Sequence, residues 1–427
     1  FLKFFAILLI AVVAAIIFLS YFGLETDRFD GLIKGKANEV NRYVKLEFQK
    51  TKIHLNLREF NLAVKLQNPK ILIKGDEIHL SKLDMFLSLK SFFTSDFLLK
   101  RAEIAFVKND IKDLTKITNI FLPKIINKRL NKIFSKGSLE GEFIIPFEAD
   151  GSIGKDYGFS GKVSDALINL TKEFSIKDLT TEIKNIKRNE NNVFKIIIKK
   201  GSIYDLELAN SVINIKPEKY ETKIKSSLRT NGKLNFSQIK KISSLFALNI
   251  DNFENINGNV DLTTNFNFDL SKRFKIKNLS YSTEGKISYL EIHTKERKIV
   301  SKYLPEYDPK IIFKDSTIKF TNSKSSHTTQ LSGLIKVKDH FDSFKIKEIY
   351  DNSKKSFNVD GVMDLTNSKV KISRLNFIKD SGEKSEISFN INFILNKYYN
   401  IKNLNFLADR NKINLSNVEL NKNFEVK

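Results

Sequence analysis

The chain has no cysteine and no tryptophan, and among its 427 residues only 17 glycines, 6 prolines, 5 histidines and 2 methionines. The missing cysteine excludes a disulfide framework, a thiolate metal site and a cysteine nucleophile. It leaves the compartment open, because an exported bacterial protein can do without disulfides. The histidines (His54, His79, His293, His327, His340) are scattered, and no two stand three or four residues apart, so helical metal-ligand spacing is missing. His54 and His79 fall on the polar phase of predicted strands and read as surface residues. No glycine-rich phosphate loop, Gly-x-Gly-x-x-Gly or Gly-x-Ser-x-Gly elbow is present. Gly161 and Gly201 fall at predicted strand boundaries, where turn geometry accounts for them. Carboxylates are plentiful, but nothing in their spacing selects a catalytic pair. The sequence therefore predicts no catalytic residue, no metal and no cofactor, and the chain does not read as an enzyme.

Arginine is also scarce: 11 of the 72 basic residues, in a chain of net charge +23. Arginine supplies most bidentate contacts to phosphates and bases, so a nucleic-acid partner is disfavoured. The lysines read as a dispersed, solvated surface, in a composition whose Lys, Ile and Asn excess resembles that of an AT-rich genome.

What is present begins with a long apolar run. Phe4 to Leu24 carries no charge, with Lys3 before it and Glu25, Asp27, Arg28 and Asp30 after it. At about 1.5 Å per residue such a helix covers a hydrocarbon core of roughly 30 Å. The basic start and acidic exit predict an amino end in the cytoplasm. The competing reading is a cleaved signal peptide. Against it, Ala11, Ala14 and Ala15 lie mid-span, and no small-residue cleavage site succeeds the run. The lysine-rich remainder is compatible with export, because the positive-inside bias acts on short loops.

Most of the chain beyond this run alternates apolar and polar residues with period two. Ile53, Leu55 and Leu57 alternate with Lys52, His54, Asn56 and Arg58; Leu62, Val64 and Leu66 come next, then Ile71 and Ile73. Comparable runs lie at Phe143–Ile145, Val260–Leu262, Phe266–Phe268, Ile318–Phe320, Ile335–Val337 and Ile413–Leu415. They predict half-buried antiparallel strands separated by Gly, Asn and Asp turns. Three segments predict helices instead: residues 110–134 as two helices with Pro123 starting the second, 237–248 capped by Ser237, and 291–304 ended by Pro305. The basic segment Lys124–Lys136 fits either a solvated helix face or a contact with anionic headgroups. Phe174–Leu179, Phe274–Leu279, Phe344–Ile349 and Tyr399–Leu404 share an aromatic-x-Ile-Lys-polar-aliphatic pattern. It is either one strand type reused or a coincidence of Ile/Lys-rich composition. One-sided strands must bury their apolar faces, in a sandwich or in a curled sheet that forms a trough; the alternation alone does not separate the two.

The segment Asn61–Phe106 resembles the N-terminal region of the AsmA-like family, the TamB- and YhdP-type envelope proteins. An anchor precedes strands; an Asn68-Pro69 turn leads to a short strand and Gly75. A strand carrying Ile78, Leu80 and Leu83 comes next, then a Leu87–Phe93 segment and a closing strand Leu98–Val107. Gly161–Ala166 resembles that family's Gly-x-Val-x-Asp-Ala strand starts. The resemblance is best over residues 1–110 and diffuse beyond, and the helical insert and lysine excess depart from it in detail. It implies a bridge-like lipid-transfer protein without catalytic residues, with a long twisted sheet forming a hydrophobic groove for phospholipids.

The resulting expectation is mainly β: an N-terminal transmembrane helix over residues 1–24, then a long, twisted antiparallel sheet over 25–427, curled into a hydrophobic groove, with a few short helical inserts. The anchor sits in the inner membrane and the bulk in the periplasm. Phospholipids are the expected cargo, and periplasmic or outer-membrane proteins are further candidate partners. Leu62, Val64, Leu66, Ile71, Ile73, Ile78 and Leu80 are the candidate groove-lining residues. With strands about 4.8 Å apart, roughly 20–25 of them span on the order of 100 Å. The start at Phe1 and the ending at Lys427 suggest a fragment of a longer chain. The alternative is an envelope assembly factor that acts on outer-membrane proteins through sheet edges. A membrane-tethered enzyme acting on a glycan lacks any site motif.

Overall fold

The computed structural model describes the chain except for residues 1, 41–42, 74–75, 94–97, 116–127, 129–130, 153, 155, 170–173, 189–190, 246–252, 274, 295–307, 338–339, 395–396, 423–425 and 427. Two compact units result, Phe1–Gly201 with Asn214–Pro217, and Ser202–Ile213 with Glu218–Lys427. The fold is mainly β and antiparallel, with few helices.

The first unit opens with α1, Leu2–Tyr21, whose described side chains are almost all exposed: Ile7 67%, Ile10 68%, Tyr21 79%. Among the described residues no helix is long and apolar enough to cross a membrane. The expected transmembrane span is therefore not supported, and its helix also ends before Leu24. Gly23 takes a left-handed φ of +68° and stops the helix. A Cβ there would lie 2.7 Å from the Ile53 carbonyl oxygen. Leu24 already belongs to β1 (Leu24–Glu25), paired with Ile53.

Next come α2 (Asp30–Val40), β2 (Val44–Glu47), β3 (Thr51–Asn56), β4 (Asn61–Leu66), β5 (Lys70–Ile73) and β6 (Asp76–Ser88). Then come α3 (Lys90–Phe93), β7 (Leu99–Asp110), β8 (Phe134–Pro146), β9 (Gly158–Asn169) and β10 (Ser175–Arg188). Register stacks the apolar phases: Ile53, Val64 and Met85 align across β3, β4 and β6, as do Leu55, Leu62 and Leu87. Phe29 and Ile33, each 3% exposed, bring the α2 segment down onto this row and close it. The Asn68-Pro69 turn is present, with Asn68 at φ 49°. Gly75 lies outside the described residues.

β11 (Asn191–Ile203) and β13 (Ser211–Pro217) contribute residues to both units. The second unit contains β12 (Leu206–Leu208), β14 (Glu221–Asn235), α4 (Phe236–Leu245), β15 (Phe253–Ser271), β16 (Ile276–Thr294), β17 (Lys310–Asn322), β18 (Ser326–Val337) and β19 (His340–Asp351). It continues with β20 (Ser356–Asp364), β21 (Val370–Ile372), β22 (Phe377–Lys379), β23 (Ser385–Ile394), β24 (Tyr398–Ala408) and β25 (Asn411–Asn421). From β14 to β20 each strand pairs with the next, then β20 with β23, β23 with β24 and β24 with β25; β21–β22 is a separate hairpin.

The predicted helices need correction. Asp110 ends β7 and Phe134 starts β8, and residues 111–115 and 131–133 are helical. Pro123 lies outside the described residues, as do 124–127 and 129–130 of the basic segment. α4 is present, but its cap is Asn235 rather than Ser237. The Gln238 N–H donates to Asn235 Oδ1 and the Asn235 N–H to Gln238 Oε1, each at 3.0 Å, a reciprocal capping box. Glu291–Thr294 continue β16, and 295–307 lie outside the described residues. The period-two pairing with β15 and β17 overrides the local helical spacing there.

The aromatic-x-Ile-Lys pattern has a partial structural meaning. Its polar residue is left-handed at Asp178 (φ 50°) and Asn278 (φ 51°), both at register shifts. A third copy shifts register beside Ile401, whereas Phe344–Ile349 runs unbroken through β19. Asp and Asn tolerate this conformation, and such bulges sharpen strand twist. Gly161–Ala166 is the interior of β9, not a strand start, with Asp165 at φ 51° in the bulge.

Candidate functional site

The seven candidate groove residues come together, but as a covered core. Leu62, Val64, Leu66 and Leu80 belong to the cluster closed by Phe29 and Ile33, and Ile71 and Ile78 pack against it. Ile73 sits with Ile71, Ile78 and Leu114 in a smaller cluster. Val64 is 0% exposed, so no surface is offered at this point. Beside this core lies a cavity of about 500 Å³ lined by Glu47, Phe48, Gln49, Asn68, Pro69, Lys70, His79 and Leu80. Lys70 is held there between Glu77 (3.4 Å) and Glu47 (3.5 Å), which raise its pKa. No group of three or more metal-ligating side chains occurs among the described residues.

The second unit presents a different surface. β14 alternates half-buried and exposed positions along most of its length: Ile224, Leu228 and Leu234 on one face, Lys223, Lys225, Arg229 and Lys233 on the other. Strict alternation places every lysine away from the apolar phase. The register carries this asymmetry onward. Leu228 meets Thr264, Ile318 meets Leu331, and Leu331 meets Ile346. The opposite face is polar, with a bidentate Arg229–Asp261 pair (3.2 and 2.9 Å) and Asn390 bonded to Asp360. Among the described residues, two elements lie on this sheet: α4 against β14 and β15, and the β21–β22 hairpin over β23–β25. Between them, Val260 and Ile287 are buried in a cluster with Leu206, and Leu234, Leu262, Leu290, Ile318 and Leu331 pack against it; toward the turns the apolar side chains are half-buried.

One margin of the open face is aromatic. Phe266, Tyr281, Phe320, His327, Tyr350, Phe357, Phe393 and Tyr399 touch in sequence, with centroid separations of 5.9, 5.6, 5.9, 4.7, 4.6, 4.9 and 5.6 Å. Each ring flanks one of the turns β15–β16, β17–β18, β19–β20 or β23–β24, so the row runs along one lip of the sheet. All eight are half-buried. Deeper on the same face, Gly361 pairs with Phe389, whose ring lies across it; a Cβ at Gly361 would come within 2.2 Å of that ring.

Two carboxylates of β19 interrupt the apolar phase: Asp342, buried and accepting from the Asn367 side chain, and Glu348. Glu348 lies two residues inward from Tyr350, opposite Thr329 on one side and Val359 on the other. Burial raises its pKa, against the pull of His327. Among the described residues no side chain donates a hydrogen bond to it.

Toward the other ends of the final strands the face is closed. Phe377 meets Phe406 edge-on at 5.9 Å, above Leu404, Ile387 and Ile413. The closure is locked by Lys379, fully buried, whose Nζ donates to the carbonyls of Leu365 (2.7 Å), Thr366 (2.7 Å) and Ser368 (2.8 Å). Burial lowers its pKa, while Glu383, Asp342, Asp364 and Asp380 oppose this.

No family model, no curated protein and no solved structure matches the chain. Single-strand periodicity does not reveal the aromatic lip, which arises only when strands stand side by side. The sequence still carries a signal for it: aromatic or imidazole rings flank successive turns, as at Phe320/His327, Tyr350/Phe357 and Phe393/Tyr399.

Proposed function

We propose that the chain is a membrane-tethered, phospholipid-carrying protein, with the open apolar face of the second unit as the lipid-bearing surface. α1 serves as a single-pass anchor in the inner membrane, and the β-rich remainder works on the periplasmic side, moving phospholipid toward the outer membrane and so supporting envelope integrity. The observation that carries this reading is an apolar sheet face that is half-exposed toward its aromatic lip, with no second layer over that part among its described residues. Soluble proteins rarely leave contiguous apolar patches beyond a few hundred Å² without a ligand or partner. The run Ile7–Phe18 of α1, apolar throughout and almost all exposed, favours the anchor, since an element apolar all round needs protein or lipid around it.

The mechanism is passive. Acyl chains lie along the aliphatic residues while the head groups stay at the solvated margin. Tyrosine and phenylalanine suit that margin, because an amphipathic ring matches the boundary between hydrocarbon and water. Mass spectrometry of the full chain purified in detergent tests the reading: copurifying phospholipid is expected. A reproducibly lipid-free protein would reject it and leave the envelope-assembly reading, in which partner proteins cover the face.

A further inference from the structure

Glu348 is out of place on a surface built to hold hydrocarbon. It stands among Ile346, Val359 and Thr329, two residues from the aromatic lip, with no hydrogen-bond donor among the described side chains. A carboxylate left without donors in a half-buried apolar setting is costly unless something cationic meets it. The lysines of β19, Lys345 and Lys347, alternate onto the exposed polar phase and do not serve it. Around it the rings form a frame: Tyr350 is its neighbour on the same face, Phe357 lies diagonally across on β20, and His327 diagonally across on β18. His327 stacks on Tyr350 at 4.7 Å, and Tyr350 meets Phe357 at 4.6 Å.

We infer that Glu348 and the rings of Tyr350, Phe357 and His327 form a seat for the ammonium group of a phospholipid head group. This rests on the lipid-carrying reading above and adds head-group selectivity to it. A carboxylate beside aromatic faces is a general arrangement for an ammonium ion: the charge is met directly, and the ring quadrupoles attract the cation. The position fits a lipid lying along the strands. The head group sits at the lip beside the turns, and the acyl chains run inward over Ile346 and Leu331. An anionic head group with no amine gains nothing here and meets the carboxylate as a like charge.

The test uses the full chain, exchanged into detergent micelles containing equimolar phosphatidylethanolamine and phosphatidylglycerol, with bound lipid measured by mass spectrometry. The wild type is expected to enrich the ethanolamine lipid about threefold over input, the size of a modest cation–π and charge preference. Glu348→Gln should bind the same total lipid at the input ratio, and Glu348→Asp should keep part of the enrichment. If wild type and Glu348→Gln carry lipid in the same ratio, the seat is refuted while the lipid-carrying reading stands. If neither carries lipid, both fail. Thermal unfolding of Glu348→Gln separates a lost seat from a lost fold, and an unfolded Gln variant leaves the Glu348→Asp ratio to decide.

Discussion

Tyr350 and Phe357 face each other directly across the β19–β20 hairpin, their ring centroids 4.6 Å apart. They are the middle of the row of rings that runs from Phe266 to Tyr399. Cross-strand aromatic pairs contribute stability beyond the area they bury, and a row of them also fixes the register of successive hairpins. A double-mutant cycle on Tyr350→Ala and Phe357→Ala, read by urea unfolding, should give a coupling of about 1 kcal/mol. Independent, additive losses would mean that the rings lie side by side without interacting.

Gly361 tests the packing within the apolar face. Gly361→Val forces the Phe389 ring off its place and should cost about 1–3 kcal/mol of stability. Phe389→Ala in the same chain should recover part of that loss. If Gly361→Val is neutral, the ring does not lie across the glycine.

Lys379 serves the hairpin that closes the face over β23–β25. Lys379→Met keeps the apolar stem but leaves three carbonyls without their donor, and should destabilise the unit by about 3 kcal/mol. Proteolysis at the β21–β22 hairpin should rise at the same time. A Met variant as stable as the wild type would mean that water replaces the ammonium without loss.

Two carboxylates give opposite pH signatures. Glu291 accepts from Tyr289 and from His293 (2.7 Å) and pairs with Lys310 (3.1 Å), which together lower its pKa to about 2. A depressed carboxylate stabilises the fold above its unfolded pKa and loses that contribution as pH falls. The loss at Glu291 should span roughly pH 4.5 to 2 and vanish in Glu291→Gln. Glu348 is raised by burial, so its ionisation destabilises the fold as pH rises through the unfolded value toward the folded one. Glu348→Gln should therefore melt higher than wild type at pH 7 and equal to it in acid. Melting curves across pH that show no difference for either variant would contradict both assignments.

The sequence was legible where one strand explains itself. Alternation placed β3, β4, β15, β17 and β18, and the apolar run placed the α1 helix to within a few residues. It did not show what covers a face. Leu62, Val64 and Leu80 and their neighbours have the same period-two grammar as Ile318 and Leu331, yet α2 buries the first set while Ile318 and Leu331 stay half-buried at the edge of the Leu206, Val260 and Ile287 cluster. The difference rests on Phe29 and Ile33, in a segment whose few apolar residues give weak helical periodicity. Val64→Asp accordingly belongs to the fold, not to the function: a charge at a fully buried position should unfold the first unit, at a cost of about 4 kcal/mol or more. Asp178 and Asn278 were visible as a repeated pattern, but their left-handed backbone depends on a partner strand that no single segment reveals.

The most direct measurement is native mass spectrometry of the full chain in detergent, comparing wild type with Leu331→Glu/Ile346→Glu. These residues pair on the open face and are half-buried; Leu331 also packs against the buried Leu206, Val260 and Ile287, so the variant's fold is checked first. The wild type should carry phospholipid, and the folded double variant, checked by circular dichroism, should carry little or none. A lipid-free wild type, or a double variant that keeps its full lipid load, would contradict the lipid-bearing role of this face.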